Sequence, residues 1–189
     1  MNNTQSHPLE KFCYCPRCGS SRFVVNNASS KRCEDCEFVY YFNPRAAVVA
    51  VICDEKGRVL VAKRAKEPAK DTLDLPGGFT ECYETAEESL AREVMEETSI
   101  VVDNAHYLFS EHNIYPYSGI DIHTMDLFYL VRVDSRVSIE SRDDVASLHW
   151  VSWHELKPED FGLLSIRRGV ERLLKCYHHY DIEALTRKP

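Results

Sequence analysis

The sequence predicts an α+β fold, a mixed β-sheet packed with helices, preceded by a small separate module. Apolar, β-rich runs predict strands at residues 46–53, 58–64, 101–109, 122–133 and 148–153. One helical pattern lies between these strands, at residues 86–98, and a second, at 165–177, follows the last of them. Upstream, two cysteine pairs lie within a stretch of roughly 30 residues, which is too short to bury a core of its own.

The first predicted helix begins with a clear capping signal. Thr85 followed by Glu88 forms a capping-box pattern, and the run from 86 to 98 contains helix formers with neither Gly nor Pro. An apolar stripe at helical spacing is formed by Ala86, Leu90 and Val94. This helix is therefore expected to pack one face on the sheet.

Three glutamates, Glu93, Glu96 and Glu97, lie near the end of this helix. Glu97 follows Leu90 by seven residues, so it falls within the apolar stripe, and Glu93 borders it. Like charges within one turn repel, and the negative end of the helix dipole disfavours them further. A divalent cation removes this conflict, since Mg²⁺ binds carboxylates, water and phosphate oxygens. The alternative is a solvated acidic surface, which accounts for Glu96 better than for Glu97.

The pattern around these glutamates resembles the Nudix box. Gly78 is followed after five residues by Glu84, then after seven more by the run REVMEE at 92–97, and the aliphatic Ile100 completes it. Ser99 stands where the family usually has Gly, and Ser at a left-handed helix cap costs on the order of 1 kcal/mol. The resemblance implies a Nudix-type α/β/α sandwich with a mixed sheet.

The resemblance also implies roles for the charged residues of the box. In Nudix enzymes, the glutamates that match Glu93, Glu96 and Glu97 bind the catalytic divalent metals, and an acid among them often orients or deprotonates water. Mg²⁺ or Mn²⁺ is therefore expected here. Glu84 and Arg92 would be the pair that holds the preceding loop to the helix.

Two further metal ligands follow from the resemblance. The backbone carbonyl of the Gly before the box, Gly77 in this chain, commonly binds the metal. Family members often recruit another acid from a later loop. Asp144 is the candidate in this sequence, with Asp143 and Glu140 as alternatives.

The reaction implied is hydrolysis of a pyrophosphate bond in a nucleoside diphosphate linked to another group. Clustered glutamates with bound Mg²⁺ can neutralise the phosphate oxygens, align a water and stabilise the leaving phosphate. Candidate substrates are NADH or NAD, ADP-ribose, a nucleotide sugar or an NTP. The alternative function is a catalytically weak Nudix-like module that binds a nucleotide or a protein for regulation, which Ser99 favours.

The upstream cysteines form two CxxC pairs with 14 residues between them. This spacing predicts a structural zinc ribbon at residues 12–43, because four thiolates in two tight turns give a closed tetrahedral site. The predicted ligands are Cys15, Cys18, Cys33 and Cys36. Cys13 is an alternative to Cys15, and disulfides or a ribbon that has lost its metal are alternative interpretations.

A zinc ribbon joined to a Nudix domain resembles the NADH pyrophosphatases. The segment SEHNIYPYS at 110–118 lacks their SQPWPFP signature, which argues against NADH specificity. Phe79, Tyr115 and Tyr117 are candidates to stack on a base or a nicotinamide, with core or loop packing as the alternative. Arg45 is a candidate to contact phosphates, or else a solvated strand residue.

Composition limits the location and the partners. The chain has 189 residues and a formal net charge of −7, which argues against long nucleic acid as the main partner. It lacks an apolar signal core and any stretch of membrane-spanning length, so we expect a cytoplasmic protein without a membrane partner. A homodimer remains open. The expected division is a mobile tail at 1–11, the ribbon at 12–43, the Nudix domain at 44–179 and a C-terminal tail at 180–189.

Overall fold

The computed structural model describes residues 7–141 and 145–179, and the chain forms two compact units. Within the described residues, the first unit contains 7–44 together with 116–122, and the second contains the rest. Most of the predicted tails, residues 1–6 and 180–189, lies outside the described residues. No helix in the described part of the chain is long and apolar enough to span a membrane.

The first unit contains a three-stranded antiparallel sheet. Its strands, in spatial order, are β1 (Phe23–Asn27), β2 (Ser30–Cys33) and β3 (Val39–Tyr41). The hairpin between β1 and β2 closes where Asn27 faces Ser30, within a polar turn. Phe23 packs with Cys15 and Cys33, and these three are the buried residues of a very small core. So small a core is typical of modules that need a metal or disulfides to fold.

The second unit is built on a seven-stranded sheet. Its strands are β4 (Arg45–Asp54), β5 (Arg58–Arg64), β6 (Leu73–Asp74), β7 (Gly77–Phe79), β8 (Ala105–Tyr117), β9 (Ile120–Val133) and β10 (Val145–Ser152). The main order is β10-β5-β4-β9-β8, with β6 beside β5 and β7 beside β4. β4 runs parallel to β9, whereas β5, β6, β7 and β10 pair antiparallel. The sheet is therefore mixed, as predicted.

The two helices cover opposite faces of this sheet. They are α1 (Ala86–Thr98) and α2 (Leu164–His179), and single 3-10 turns lie at Trp153–Glu155 and Pro158–Asp160. Side chains alternate between faces along a strand. Leu90 and Val94 of α1 consequently pack with the even-numbered apolar residues of β4, and Ile166 and Val170 of α2 pack with the odd-numbered ones. This confirms the α/β/α sandwich.

The boundaries of the elements follow the sequence closely at α1 and less closely in the strands. Both hydrogen bonds of the capping box are present, and α1 spans the predicted 86–98. β8 begins at Ala105 instead of 101, because Asp103 and Asn104 disfavour strand backbone. It continues to Tyr117, so most of the 110–118 segment is strand.

Ser99 ends α1 in the left-handed conformation that the sequence predicts for this position. Its φ is 61° and ψ is 18°, and its N–H donates to the Met95 carbonyl at 3.0 Å. The Ser99 hydroxyl is buried without a hydrogen-bond partner among the described residues. Both the backbone conformation and the unpaired hydroxyl cost stability.

Replacing this residue tests both costs. Ser99→Gly is expected to raise the free energy of unfolding by about 1 kcal/mol, because it relieves the left-handed strain and removes the buried hydroxyl. Ser99→Ala is the matched control, since it removes the hydroxyl alone and should gain less. Urea unfolding of the three proteins measures the difference, and a Gly variant no more stable than wild type would contradict this account.

Candidate active site and zinc site

Glu93 is held in a half-buried position against the turn that precedes α1. Its side chain is 15% exposed, compared with 48% for Glu96 on the outer side of the helix. Gly78 of β7 makes room for it: a Cβ added there would lie 2.4 Å from the Glu93 carboxyl carbon. A residue with a side chain at 78 would therefore displace the Glu93 carboxylate.

Glu97 is fixed to the same strand by a backbone hydrogen bond. The Gly77 N–H donates to its Oε2 at 2.9 Å. Gly77 has a φ of 151°, and a Cβ there would lie 2.1 Å from the carbonyl oxygen of Val48 on β4. Only glycine fits this approach, so β4 and β7 together place the Gly77 backbone at the Glu97 carboxylate.

Arg92 joins the preceding loop to the glutamates of the helix. It binds both carboxylate oxygens of Glu84, with Nε to Oε1 at 2.6 Å and Nη2 to Oε2 at 2.9 Å. Its Nη1 donates to Glu93 at 2.8 Å and to Glu96 at 3.2 Å. Its Nη2 also donates to the Phe79 carbonyl at 3.2 Å. This arrangement fits the loop-holding role inferred for Glu84 and Arg92.

The pKa values of Glu84 and Glu93 are shifted in opposite directions. Hydrogen bonds from Arg92 lower the pKa of Glu84 to about 2, so it is ionised across the physiological range. Burial raises the pKa of Glu93, and Arg92 offsets part of that effect. Burial therefore disfavours the charged form of Glu93, and a cation beside it would stabilise that form.

The donor set has the chemistry that a hard divalent cation requires. Glu93, Glu97 and the Gly77 carbonyl would offer such an ion oxygen ligands, which Mg²⁺ and Mn²⁺ prefer. The glutamates do not form a tight cluster. Within the described residues, the group of three or more ligand side chains whose donor atoms all lie within 4.8 Å of one another consists of cysteines. An ion here would be shared with water and substrate oxygens, as Mg²⁺ usually is.

The acid predicted from a later loop is only partly covered by the structure. Asp143 and Asp144 lie outside the described residues. The alternative, Glu140, is exposed, and its N–H donates to the Thr98 carbonyl at 3.2 Å. The segment before residue 141 therefore passes the C-terminal end of α1, next to Glu97.

Three of the four predicted substrate-binding residues lie together. The Arg45 guanidinium lies 4.2 Å from the centre of the Phe79 ring, and Phe79 meets Tyr115 edge to face at 5.5 Å. Tyr117 belongs to the first unit and is largely exposed. Arg45, Phe79 and Tyr115 thus form a cluster of one cation and two aromatic rings at β7. It is called the cation and aromatic cluster below.

Among the buried acids of the second unit, Asp74 and Asp126 were not singled out from the sequence. Asp126 on β9 accepts from the hydroxyls of Thr124 and Ser165, each at 2.5 Å. Asp74 is paired with Arg64 at 2.5 Å. Burial raises the pKa of both acids. The sequence signal that could have identified Asp126 is a single acid within an otherwise apolar strand.

The four predicted zinc ligands come together in the first unit. Their Sγ atoms all lie within 4.8 Å of one another, with Cys15 to Cys36 at 3.7 Å and Cys18 to Cys33 at 3.6 Å. Tetrahedral zinc with bonds of about 2.3 Å has edges of about 3.8 Å between sulfurs, so the thiols fit this metal. Cys13 is exposed and lies outside this group.

The mixed sheet, its two covering helices and the glutamates held at β7 define the class of protein as a Nudix domain, here preceded by a zinc-ribbon module. Residues 43–171 match the family model described as NUDIX domain. The chain belongs to this family.

Curated relatives and solved structures agree with this assignment. The chain is 27% identical over 152 residues to the NAD-capped RNA hydrolase NudC of Vibrio parahaemolyticus, covering 80% of this chain and 55% of that protein. It is 43% identical over 61 residues to the ADP-ribose pyrophosphatase of Methanocaldococcus jannaschii, covering 32% and 36%. The crystal structure of a MutT NUDIX hydrolase from Burkholderia pseudomallei superposes with a TM-score of 0.60 at 26% identity, covering 69% and 98%. The chain spans about half the length of the NudC proteins it matches.

The thiol cluster predicts a defined metal content. Protein purified without a metal-binding tag is expected to contain about one zinc per chain by elemental analysis. Cys33→Ser should lose this zinc, because Cys33 is a buried member of the cluster. Cys13→Ser is the matched control and should retain it. Wild-type zinc content near zero, or equal loss in both variants, would refute the ribbon.

The pairing of Glu84 with Arg92 predicts a pH-dependent contribution to stability. Because the folded pKa of Glu84 lies below its ordinary value of 4.5, the contribution is present above about pH 4.5 and lost as pH falls toward 2. Glu84→Gln should therefore unfold more easily than wild type at pH 7, and the difference should shrink below pH 4. Urea unfolding across this range measures it, with the exposed Glu81→Gln as control; a difference independent of pH would contradict the prediction.

Proposed function

We propose that this chain hydrolyses a pyrophosphate bond in a small nucleoside diphosphate-X compound, using Mg²⁺ or Mn²⁺. One observation carries the proposal. Glu93 and Glu97 are both half-buried, and both are held at β7, where Glu93 lies against Gly78 and Glu97 against Gly77. A helix with a structural role alone gains nothing from carboxylates in that position. A metal-binding helix requires them.

The proposed mechanism assigns a task to each part of the site. Glu93, Glu96, Glu97 and the Gly77 carbonyl would hold the ions, with Asp144 as the proposed further ligand. Bound there, the metal supplies neutralisation of the pyrophosphate oxygens and activation of a water. The protein's own contribution is to fix these ligands in advance, since groups already oriented need no reorganisation during the reaction.

Arg92 is central to that orientation. It cannot lose its proton under ordinary conditions, and its planar fork holds Glu84 on one side and Glu93 on the other. The Glu84 carboxylate also accepts the Glu81 N–H at 3.1 Å, so the loop and the helix are locked as one piece. Arg92 is a positioning residue in this scheme, with no contact to the reacting atoms.

The cation and aromatic cluster supports an adenosine diphosphate compound as the substrate. The relatives named above act on NAD-capped RNA and on ADP-ribose, and NAD and ADP-ribose share the ADP-ribose unit. We propose NAD, NADH or ADP-ribose, with Arg45 near the phosphates and Phe79 and Tyr115 near a ring. The net charge of −7 favours a small nucleotide over a long nucleic acid.

A reducing location fits the thiols. Seven of the cysteines, all that precede Cys176, are free, including the buried Cys53, whose pKa is raised to about 12 by burial. Such a thiol stays protonated and unreactive. We propose that the protein acts in the cytoplasm.

Glu97→Gln is the decisive variant for this function. Turnover is expected to fall by more than about 100-fold, since loss of even an outer-shell partner of a metal ligand costs 10–100-fold. The amide oxygen of Gln can still accept the Gly77 N–H, so the fold should persist. Glu87→Gln, at an exposed position in the first turn of the same helix, is the matched control and should keep activity.

The assay uses NADH, NAD⁺, ADP-ribose, dinucleoside polyphosphates, nucleotide sugars and NTPs, each with Mg²⁺ and with Mn²⁺. Normal turnover in Glu97→Gln would refute the metal site. Wild-type protein that binds one of these compounds and hydrolyses none would instead support the regulatory module.

A further inference from the structure

Arg64 on β5 is a largely buried cation to which the proposed mechanism assigns no task. Its side chain is 16% exposed, and it pairs with the buried Asp74 at 2.5 Å. Its Nε also donates to the Pro68 carbonyl at 2.8 Å. Replacing a buried ion pair by apolar residues is often neutral or stabilising, so stability alone does not account for this one. The rigid, planar donors of an arginine can instead fix the position of a neighbouring side chain.

The neighbouring side chain is Tyr115 on β8. Burial acts to lower the pKa of Arg64, but Asp74 and then the Tyr115 side chain outweigh it and raise that pKa. The polar atom of a tyrosine side chain is its hydroxyl, which therefore lies beside the guanidinium group. The Tyr115 ring in turn meets Phe79 edge to face, with 5.5 Å between the ring centres. Tyr115 thus connects a buried, ion-paired arginine to an aromatic ring of the candidate site.

Phe79 is contacted from a second direction by Arg45, whose guanidinium lies over the ring at 4.2 Å from its centre. Arg45 is exposed, whereas Asp74 is buried. A continuous series of side-chain contacts therefore leads from a buried carboxylate to the exposed cation of the cluster, in the order Asp74, Arg64, Tyr115, Phe79 and Arg45. The orientation of the Phe79 ring depends on this series, and Arg64 lies near its buried end.

Phe79 lies on the same short strand as a proposed metal ligand. β7 carries both Gly77 and Phe79, and a separation of two residues places them on one face of the strand, roughly 7 Å apart. The Phe79 carbonyl also accepts a hydrogen bond from Arg92 at 3.2 Å. A nucleotide whose pyrophosphate is bound at the Gly77 carbonyl would therefore have its sugar and ring within reach of Phe79.

We propose that Arg64 is a positioning residue for substrate binding, which holds Tyr115 and, through it, the Phe79 ring against which a ring of the nucleotide stacks. The inference rests on the proposed function, which makes Phe79 a substrate-binding residue. Arg64 does not touch the substrate in this scheme, and its pair with Asp74 keeps the guanidinium in place. Breaking the contact between Arg64 and Tyr115 then weakens the binding of a nucleotide and leaves the binding of phosphate groups at the metal unchanged.

Two ligands separate ring binding from phosphate binding. NAD⁺ has an aromatic ring at each end, and inorganic pyrophosphate has none. Their dissociation constants are measured by calorimetry with Mg²⁺ in the full-length Glu97→Gln protein, in which turnover is blocked. Adding Tyr115→Phe removes the hydroxyl but keeps the ring. It should weaken NAD⁺ binding roughly three- to tenfold, the range expected for the loss of one aromatic contact, and leave pyrophosphate binding unchanged.

A double-mutant cycle tests whether Arg64 acts through Tyr115. Arg64→Lys keeps a charge opposite Asp74 but loses the planar donors, so it should weaken NAD⁺ binding to a similar extent. Tyr115→Phe should then add little in the Arg64→Lys protein, because both changes break the same contact. Arg58→Lys, which alters the pair with the buried Asp54 where β4 meets β5, is the matched control and should bind NAD⁺ as the parent does.

The opposite results overturn the inference. These are unchanged NAD⁺ binding in Tyr115→Phe, equal weakening of pyrophosphate, effects of the two changes that add, and no NAD⁺ binding at millimolar concentration. A lowered melting temperature in Arg64→Lys with unchanged NAD⁺ binding would show that the ion pair is purely structural. If Arg64→Lys does not fold, the result for Tyr115→Phe decides.

Failure of the proposed function is seen separately, in the wild-type hydrolysis assay. Weaker NAD⁺ binding in the variants, without hydrolysis by the wild type, would retract the hydrolase and keep the role of Arg64. Hydrolysis of NAD⁺ by the wild type, with NAD⁺ binding unchanged in the variants, would do the reverse.

Discussion

The Arg92 guanidinium is the constraint on which the candidate active site depends. It is a permanent cation with donors in a rigid plane, and it holds Glu84, Glu93 and Glu96 together with the Phe79 carbonyl. Without it, three carboxylates would repel one another across a short loop. With it, the loop before α1 and the outer face of α1 form one rigid element.

The sheet supplies the other half of this rigidity. β4 pairs with β9 on one side and with β7 on the other, so β7, which carries Gly77 and Gly78, is hydrogen-bonded directly to a central strand of the sheet. The close approach of Gly77 to Val48 then fixes the Gly77 backbone, whose N–H donates to the Glu97 carboxylate. Hydrophobic packing of α1 on the sheet thus helps to determine where the glutamates of α1 lie relative to Gly77 and Gly78.

Local signals were sufficient to predict α1 and the cysteine cluster. A capping box, an apolar stripe and CxxC spacing are encoded within a few residues, so the bounds of α1 and the choice of Cys15 over Cys13 could be inferred from the sequence. The burial of Asp126 could not be inferred in this way, because its partner Ser165 is 39 residues away and meets it only through packing of α2 on β9. The positive φ of Tyr83, 72°, was equally hidden, since the neighbouring Glu84 is held by Arg92, eight residues further along the chain.

The Arg92 guanidinium beside the glutamates and the small core of the ribbon imply that the two metals act at different stages, one during folding and the other during turnover. The glutamate helix is already charge-compensated by Arg92 and packed on a large core, so it can reach its folded form before any divalent ion arrives. The buried hydrophobic cluster of the ribbon consists of Phe23 and two cysteines, so zinc would be required at the moment of folding itself. The supply of zinc would then limit how much protein is made in active form, and the supply of magnesium would limit how fast each copy works.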